Sequence, residues 1–466
     1  MVFIVAIVIL TFTTPGGKYV YDRETNSLLS VTDEEFPAFQ RVETGTASED
    51  DWERLKRYTE QGYLKETCLE EIQHPLTPYM RHHLESQMSQ LTMQVTQNCN
   101  LRCSYCAYGN NYENQRGHSN KVMSLDMMKK CVDFIMTRSY GVDQIAIGFY
   151  GGEPFIEIEN IMACIDYIKE VYEGRSVAYT ITTNGTIFDD ETIRFLDENN
   201  FGVNISFDGP KELHDKNRVY SDGRGSFDKI MANVSYIKGK FPKFFKKVHF
   251  MSVVAPGIDF SCVNDFFTAD KVLEDSFVMT NLVSGFSAND EIRYDDLYYV
   301  SNNYQQVKIL LAAMGLCSQE KTSRLFASSL NTLKIMFSNL SKNGIVNKSH
   351  PSGPCLPGVT RPFVDVNGNI FPCERVSEGS EMMKIGHIDT KFDYNKIKAV
   401  LNVGKLTEAE CITCWNYIHC GLCVAACDDD NTLSRDMRLK YCLSDKLGTA
   451  QSLRTICLLR ENNYTF

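Results

Sequence analysis

A repeated strand–loop–helix pattern from Leu91 to about Gly285 limits the possible folds of this chain more than any other feature of its sequence. Strands that alternate with helices are typical of parallel βαβ units. We therefore expect an α/β fold with a partial (β/α)6 barrel, whose chemistry lies at the C-terminal ends of the strands. The predicted strands are 91–97, 144–150, 177–183, 203–207, 247–254 and 277–283, and helical patterns at 125–136 and 159–172 lie between them.

The rest of the chain differs from this central part and predicts a division into four regions. The length of 466 residues exceeds that of one ordinary core. We expect a small N-terminal module at 1–90, the barrel at 91–285, a helical connector at 286–350 and a cysteine-rich domain organised by metal at 351–466.

The N-terminal module carries signals for a hairpin and two short helices. KYVYD and SLLSVT alternate like two strands around the polar turn RETN. Thr32 with Glu35 and Ser48 with Asp51 predict helix starts, and Gly62 predicts a helix end. Together these elements predict a winged-helix-like module, or else a plain extension that packs on the barrel.

Charge and hydropathy exclude two classes of partner. The net charge is −11 and no long basic run is present, which argues against nucleic-acid binding. The apolar start MVFIVAIVILTFT lacks the cationic beginning of a signal peptide and is shorter than the roughly 20 residues that span a bilayer. We expect this segment to be a buried strand or an unusual start site, and a membrane anchor is the less favoured alternative.

The cysteines are numerous and clustered. Of 17 cysteines, three lie within Cys99–Cys106 and eight between Cys355 and Cys442. The odd total and tight spacing argue against a disulfide framework and favour metal binding in a reducing, cytoplasmic environment. The other six are expected to be small buried apolar residues: Cys68, Cys131, Cys164, Cys262, Cys317 and Cys457.

The first cluster, Cys99-Asn-Leu-Arg-Cys103-Ser-Tyr-Cys106, follows a predicted strand directly. Three thiolates on one loop can hold a [4Fe–4S] cluster and leave one iron open. A zinc knuckle would need four protein ligands, commonly in CxxC pairs. The CxxxCxxC spacing resembles the signature of the radical S-adenosylmethionine (SAM) superfamily. The resemblance implies that the open iron binds SAM and that SAM is cleaved reductively to a 5′-deoxyadenosyl radical.

Further motifs at strand ends support this resemblance. Gly151-Gly152-Glu153-Pro154 is similar to the family loop that receives the SAM amino group, and Asn184 follows the next strand. Arg218 suits the SAM carboxylate because a guanidinium can bind two oxygens at once. The resemblance thus implies a set of SAM-binding residues: Tyr105, Gly151, Gly152, Glu153, Asn184, Ser206 and Arg218. Asp208 and His214 are expected to be structural.

The second cysteine group resembles the SPASM extension of peptide-modifying radical SAM enzymes. That extension carries up to two auxiliary iron–sulfur clusters. By resemblance, Cys411, Cys414, Cys420 and Cys442 would hold an outer cluster, and Cys355 and Cys373 an inner one. The family usually has Cys-x3-Cys where this chain has Cys420-Gly-Leu-Cys423, with Cys427 extra, so Cys423, Cys427 or both would complete the inner cluster. A pair of structural zinc sites is the alternative.

The resemblance favours a maturase that forms cysteine thioether crosslinks in a ribosomally made peptide. The N-terminal module resembles leader-peptide recognition elements, which add a peptide strand to a sheet edge. The implied partners are a precursor peptide and an electron donor such as flavodoxin or ferredoxin.

Three alternatives remain open at the level of sequence. One is a maturase that forms C–C or C–O links, and another is an anaerobic sulfatase-maturating enzyme that makes formylglycine. In that family an Asp serves as base after the inner-cluster Cys, whereas here Glu374 follows Cys373 and is the candidate base. The third is an iron–sulfur electron carrier, which needs neither an open three-cysteine site nor a barrel of this size.

Overall fold

The computed structural model describes residues 6–109, 111–112, 115–274, 276–286, 288–342, 344–351 and 355–466. It begins with an antiparallel sheet in the order β1-β2-β3, followed by two helices. These elements are β1 (Ile9–Thr13), β2 (Lys18–Asp22), β3 (Ser27–Val31), α1 (Phe36–Glu43) and α2 (Glu49–Glu60). The predicted hairpin is confirmed, and part of the apolar start forms β1; residues 1–5 lie outside the described residues.

Local hydrogen bonds explain where the two helices begin and end. Ser48 and Asp51 form the predicted reciprocal capping box at the start of α2, and Gly62 lies just beyond its end with φ +90°. Thr32 and Glu35 also bond each other reciprocally, but α1 begins only at Phe36. The second pair therefore shapes the turn before the helix, and the predicted start at Thr32 is wrong by a few residues.

The N-terminal module has its own apolar core, which ends earlier than the sequence indicated. One sheet face packs on α1 and α2 through residues from Ile9 to Leu64, whereas Tyr21 on the opposite face packs on Leu453. The next elements are β4 (Glu71–Ile72) and α3 (Met80–Ser86). Leu84 of α3 already belongs to the main core, so the predicted boundary at residue 90 lies beyond the end of the module core.

Six parallel strands in sequential order form the partial barrel, which confirms the predicted fold class. Each observed strand agrees with its predicted range within a residue or so. Their apolar residues and those of the intervening helices form the main core. In chain order the elements are β5 (Gln90–Thr96), α4 (Leu125–Met136), β6 (Gln144–Gly151), α5 (Ile158–Val171), β7 (Ser176–Thr183), α6 (Asp190–Glu198), β8 (Gly202–Ser206), α7 (Lys211–Asn217), α8 (Phe227–Lys240), α9 (Pro242–Phe245), β9 (Val248–Val254), α10 (Phe260–Ala269) and β10 (Phe277–Leu282).

The C-terminal region extends the barrel sheet. Two helices, α11 (Asp296–Ala313) and α12 (Ala327–Asn339), precede it. The strands that follow are β11 (Lys348–Ser349), β12 (Phe363–Val364), β13 (Asn369–Phe371), β14 (Gly386–His387) and β15 (Lys391–Phe392). β12 pairs in parallel with β5, and β13, β14 and β15 continue in antiparallel order, which gives a ten-stranded sheet. β11 pairs with β4 and ties this region to the N-terminal part.

Short elements carry the second cysteine group. They are α13 (Tyr394–Leu401), α14 (Glu408–Cys411), β16 (Asp428–Asp429), β17 (Thr432–Leu433), α15 (Arg435–Lys440) and α16 (Cys442–Glu461). Among the described residues, no helix combines the length and the apolar character needed to cross a membrane. Of the six isolated cysteines, Cys131, Cys164 and Cys457 are buried as predicted, and Cys317 is half-buried. Cys68 and Cys262 are exposed, so the prediction is wrong for those two.

Candidate cofactor site at the mouth of the barrel

The first cysteine loop begins three residues after β5 and is held in place by the segment that follows α7. The backbone N–H of Arg102 donates to the carbonyl of Val219 at 2.7 Å, and that of Ser104 donates to Asn217 at 2.9 Å. These bonds are made between segments more than 100 residues apart in the chain. The loop that bears the three thiols is therefore fixed by the barrel itself.

The three thiols of this loop lie near one another in a desolvated environment. Burial raises the pKa of Cys99 to about 12, and the nearby thiols of Cys103 and Cys106 raise it further. Burial also raises the pKa of Cys103 to about 11 and that of Cys106. Cysteine thiols lose their protons when they bind a metal, and the metal then compensates the negative charge of the buried thiolates. The three thiols of this loop therefore suit a metal cluster.

The geometry of the described cysteines is not that of a mononuclear site. No three His, Cys, Asp or Glu side chains in the described part of the chain converge as they would around one metal ion. A [4Fe–4S] cluster is ligated differently, because each thiolate binds a separate iron at its own corner.

The Gly151–Glu153 segment packs tightly against the cysteine loop. A Cβ on Gly152 would lie 2.0 Å from the carbonyl oxygen of Asn98, so only glycine allows this approach. Glu153 is fully buried, and its carboxylate accepts hydrogen bonds from the backbone N–H of Asn184 and the hydroxyl of Thr183, both at 2.7 Å. Burial raises the pKa of Glu153 to about 7. Its side chain thus joins two loops at the strand ends.

Asn184 and Ser206 also lie at strand ends, as predicted. The Asn184 side-chain amide donates to the Asn100 side chain at 2.7 Å and lies 3.9 Å from the Cys99 sulfur. Ser206 is the last residue of β8 and is half-buried. The structure therefore brings Asn184 to the edge of the thiol group and leaves Ser206 on the neighbouring strand.

A buried charged cluster lies beneath the cysteine loop. Arg218 pairs with Asp208 at 3.0 Å, and its guanidinium lies 3.9 Å from the Cys103 sulfur and 5.4 Å from the centre of the Tyr105 ring. The Tyr105 hydroxyl donates to the same Asp208 carboxylate. His214 uses both ring nitrogens, with Asp208 and Ser226, and burial lowers its pKa to about 3. Asp208 and His214 thus support the residues predicted to bind SAM.

A second buried network faces the site and was not predicted from the sequence. Glu378 pairs with Arg116 at 3.0 Å and accepts a hydrogen bond from Gln94 at 2.7 Å. The Arg116 guanidinium lies 3.6 Å from the centre of the Tyr108 ring. Burial raises the pKa of Glu378. A charged residue within the pattern of β5 could have pointed to this network. The residue of β5 that takes part is the uncharged Gln94, so no such signal was present in the sequence.

Glu374, the predicted base, lies beside the second cysteine group. Its carboxylate accepts hydrogen bonds from the Arg361 guanidinium, one of them at 3.0 Å, and Arg375 lies 3.9 Å away. Its side chain is 13% exposed. Glu374 thus forms an ion pair with Arg361 and lies next to Cys373.

The four cysteines that the resemblance assigns to the outer cluster lie near one another. Burial raises the pKa of Cys414, Cys420 and Cys442, and neighbouring thiols raise it further: Cys442 acts on Cys414, and Cys411 acts on Cys420 and Cys442. These four cysteines therefore lie together.

Cys373, Cys423 and Cys427 also lie near one another, and Cys442 is a further neighbour of Cys427. Burial raises the pKa of Cys373 and Cys427 to about 11, and Cys423 adds to the increase in both. Cys355 is exposed. Cys423 lies near both Cys373 and Cys427. Cys423 and Cys427 therefore both remain candidate ligands of the inner cluster.

The fold and the three-cysteine loop define a radical SAM domain. Residues 93–268 match the family model of the Radical SAM superfamily, and SAM and a [4Fe–4S] cluster are the cofactors of that family. Among curated proteins, the cysteine-type anaerobic sulfatase-maturating enzyme of Clostridium novyi (strain NT) is 37% identical over 153 residues, or 32% of this chain and 40% of that protein.

Other relatives give the same picture. The serine-type anaerobic sulfatase-maturating enzyme of Bacteroides thetaiotaomicron is 33% identical over 141 residues, 30% of this chain and 34% of that protein. A solved structure, native anSMEcpe with bound AdoMet, has a TM-score of 0.58 at 20% identity and is covered over 99% of its length by 80% of this chain. The sequence matches thus span 40% or less of these curated relatives, and the structural match shows a shared fold.

Proposed function

We propose that the protein is a radical SAM enzyme that oxidises a polypeptide and joins a cysteine sulfur to carbon in a thioether crosslink. The observation that carries this proposal is the loop of three buried, neighbouring thiols at the C-terminal end of β5, in a barrel whose cofactors are SAM and a [4Fe–4S] cluster. When bound, these cofactors supply a 5′-deoxyadenosyl radical that removes a hydrogen atom, and auxiliary clusters supply an electron acceptor.

In this proposal the residues of the chain hold and orient the cofactors. Cys99, Cys103 and Cys106 ligate the SAM-binding cluster. Gly151 and Gly152 let the backbone approach SAM closely, because neither has a side chain in the way. The other SAM contacts come from Tyr105, Glu153, Asn184, Ser206 and Arg218.

The second cysteine group is proposed to hold the auxiliary clusters. Cys411, Cys414, Cys420 and Cys442 hold the outer cluster, and Cys355 and Cys373 hold the inner one with Cys423, Cys427 or both. Glu374 takes the proton that the substrate thiol releases. Its position beside Cys373 supports this role, and its hydrogen bond from Arg361 holds the carboxylate in place.

The N-terminal module is proposed to bind the leader of the precursor peptide at the free edge of β3. The two edge strands of the module are β1 and β3. The edge of β1 is partly occupied, because the Thr11 backbone N–H donates to the Glu43 carboxylate at 3.2 Å. The anSMEcpe chain is matched over 99% of its length and leaves about a fifth of this chain over, which is room for such an added module.

Formylglycine formation is the second candidate, since the two curated relatives described above are named as sulfatase-maturating enzymes. Both reactions begin with removal of a hydrogen atom from a peptide side chain. They differ in product, because a thioether removes a thiol without creating a carbonyl, whereas formylglycine carries an aldehyde.

Anaerobically reconstituted protein, SAM and dithionite provide the test, first alone and then with a cysteine-containing precursor peptide encoded near the gene. We expect 5′-deoxyadenosine in both cases, and a peptide that has lost two hydrogens per crosslink and resists alkylation. The C99A/C103A/C106A variant is the control and should form neither product. A peptide that becomes reactive towards hydrazides supports the second candidate, and unmodified peptide with intact clusters contradicts both.

A further inference from the structure

Three fully or nearly fully buried arginines differ in how their charge is balanced. Arg23 is 0% exposed and pairs with the Glu24 carboxylate, and Arg218 is 7% exposed and pairs with Asp208. Arg438, on α15, is 1% exposed. Within the described ranges, no carboxylate lies at ion-pair distance from Arg438.

The partners of the Arg438 guanidinium are neutral oxygens and two sulfurs. Its Nε donates to the Thr407 hydroxyl at 3.1 Å, and its Nη1 donates to the Leu422 carbonyl at 3.0 Å. Its Nη1 also lies 3.7 Å from the Cys427 sulfur, and its Nη2 lies 3.8 Å from the Cys420 sulfur. The two ends of the guanidinium therefore point at cysteines from the two proposed clusters.

A buried cation without a counter-charge is strongly unfavourable, because burial removes its hydration and nothing replaces it. Two thiols in their neutral form cannot supply that counter-charge. Metal-bound cysteine is a thiolate, so an iron–sulfur cluster at each sulfur would place negative charge on both sides of Arg438. Among the described residues, Cys420 and Cys427 are the hydrogen-bond partners of Arg438 that would carry negative charge once ligated.

We propose that Arg438 is a positioning residue that lies between the two auxiliary clusters, donates an N–H···S hydrogen bond to each, and identifies Cys427 as an inner-cluster ligand. The inference rests on the auxiliary clusters of the proposed function. Hydrogen bonds and positive charge at cluster sulfurs stabilise the reduced, more negative state. Arg438 therefore raises the reduction potentials of both auxiliary clusters and couples them electrostatically.

The first test isolates the auxiliary clusters in the C99A/C103A/C106A background and titrates their reduction by electron paramagnetic resonance. We expect R438M to lower the potentials of both clusters and R438K to lower them less, because lysine keeps the charge but cannot reach both sulfurs. R435Q is the matched control on the same helix, since Arg435 is exposed and pairs with Glu410. Its potentials should equal those of the background.

The outcomes separate this inference from the proposed function. Loss of auxiliary iron in R438M, with retention in R438K, also supports the inference. Auxiliary clusters whose potentials are the same with and without Arg438 overturn it and leave the proposed function standing. A background protein without auxiliary iron overturns both the auxiliary clusters and the inference.

The ligand assignment has its own test, which does not depend on the folding of the Arg438 variants. In the same background, C427S should lose about one cluster's four irons, as a ligand variant does. C457S is the control, because Cys457 is buried in the contact between α16 and the N-terminal sheet and should keep all the iron. Full iron and unaltered spectra in C427S overturn the assignment.

Discussion

At the scale of single residues, the candidate cofactor site depends on the buried Asp208 carboxylate and its partners Arg218 and Tyr105. Asp208 connects the aromatic ring of the cysteine loop to the guanidinium beside Cys103. It also accepts a hydrogen bond from the Val253 backbone at 3.1 Å. One carboxylate thus aligns the loop, the barrel strand and the arginine predicted to bind SAM.

Replacing this carboxylate should therefore be costly. We expect D208N to lower the free energy of unfolding by about 3–5 kcal/mol, because it leaves the Arg218 charge buried without its counter-ion. Y105F removes one hydrogen bond to the same carboxylate and should cost about 1 kcal/mol. Anaerobic denaturant titrations of the two variants make the comparison. Equal losses would show that the ion pair contributes no more than a neutral bond.

His350 should make the stability of the protein depend on pH. Its Nε2 accepts from the Gly404 backbone at 2.9 Å while its Nδ1 donates to the Pro351 carbonyl at 2.7 Å, so only the neutral ring makes both bonds. Burial lowers its pKa from 6.5 to about 4. Between pH 6.5 and about 4, the unfolded chain therefore binds a proton at His350 that the folded chain does not. The free energy of unfolding falls as the pH drops below 6.5.

Melting temperatures at pH values of about 7 and 5.5 check this prediction. The wild-type protein should lose more stability on acidification than H350Q, since glutamine has no proton to gain. H82Q is the control, because His82 is exposed on α3 and its replacement should leave the wild-type pH dependence in place. The same slope for H350Q and the wild type would contradict the assignment.

At the scale of secondary structure elements, the N-terminal sheet is packed on both faces and has an edge strand, β3, that can pair with a peptide. One face is fixed by Tyr21 against α16, and the other covers the module core. β3 is left as an edge strand. An edge strand offers unpaired backbone groups to an extended peptide, which is how sheet-edge recognition works.

A photo-crosslinking residue can test which edge binds the leader. Ser30 is exposed on β3, and Thr13 is exposed on β1. We expect a crosslinker at Ser30 to capture a leader peptide and one at Thr13 to capture little, because Glu43 engages the β1 edge. Excess unlabelled leader should abolish the capture. Equal capture at both positions, or capture at Thr13 alone, would place the peptide elsewhere.

At the scale of the whole molecule, one sheet adjoins both cysteine groups. The first three cysteines follow β5, an interior strand, whereas Cys355 precedes β12 and Cys373 follows β13 in the extension of the same sheet. The cysteines from Cys411 onward lie on short elements after β15. The proposed SAM-binding cluster and the proposed inner cluster therefore lie beside strands of one hydrogen-bonded sheet.

Total iron measures this organisation directly. Anaerobically reconstituted protein should bind about twelve irons per chain, and the C99A/C103A/C106A variant about eight, because each cubane holds four. Iron and sulfide analysis on the same samples provides the measurement. A variant with as much iron as the wild type would contradict the assignment of these three cysteines.

Local patterns predicted most of the barrel. Strand and helix periodicity located β5 to β10, and each SAM motif lies at a strand end as expected, because those signals are contained within a few consecutive residues. The pairing of β12 with β5 was missed. β12 has only two paired residues, Phe363 and Val364, and such a strand has no periodicity to read.

The polar interior of the site was also beyond sequence reasoning. Glu378 and Arg116 are 262 residues apart in the chain, and neither belongs to a motif. Arg438 looks like an ordinary basic residue on a short polar helix, yet it is 1% exposed. Burial of a charge is a property of packing, so it becomes visible only when the distant segments are brought together.

The pairing of β12 with β5 has a consequence for how the protein is made. β5 hydrogen-bonds to β6 on one side and to residues Phe363 and Val364 on the other. During translation the six barrel strands leave the ribosome long before residue 363 does. Until then the β5 flank is bare and open to pairing with a neighbouring nascent chain. Gene fragments that stop before β12 are for this reason poor expression targets.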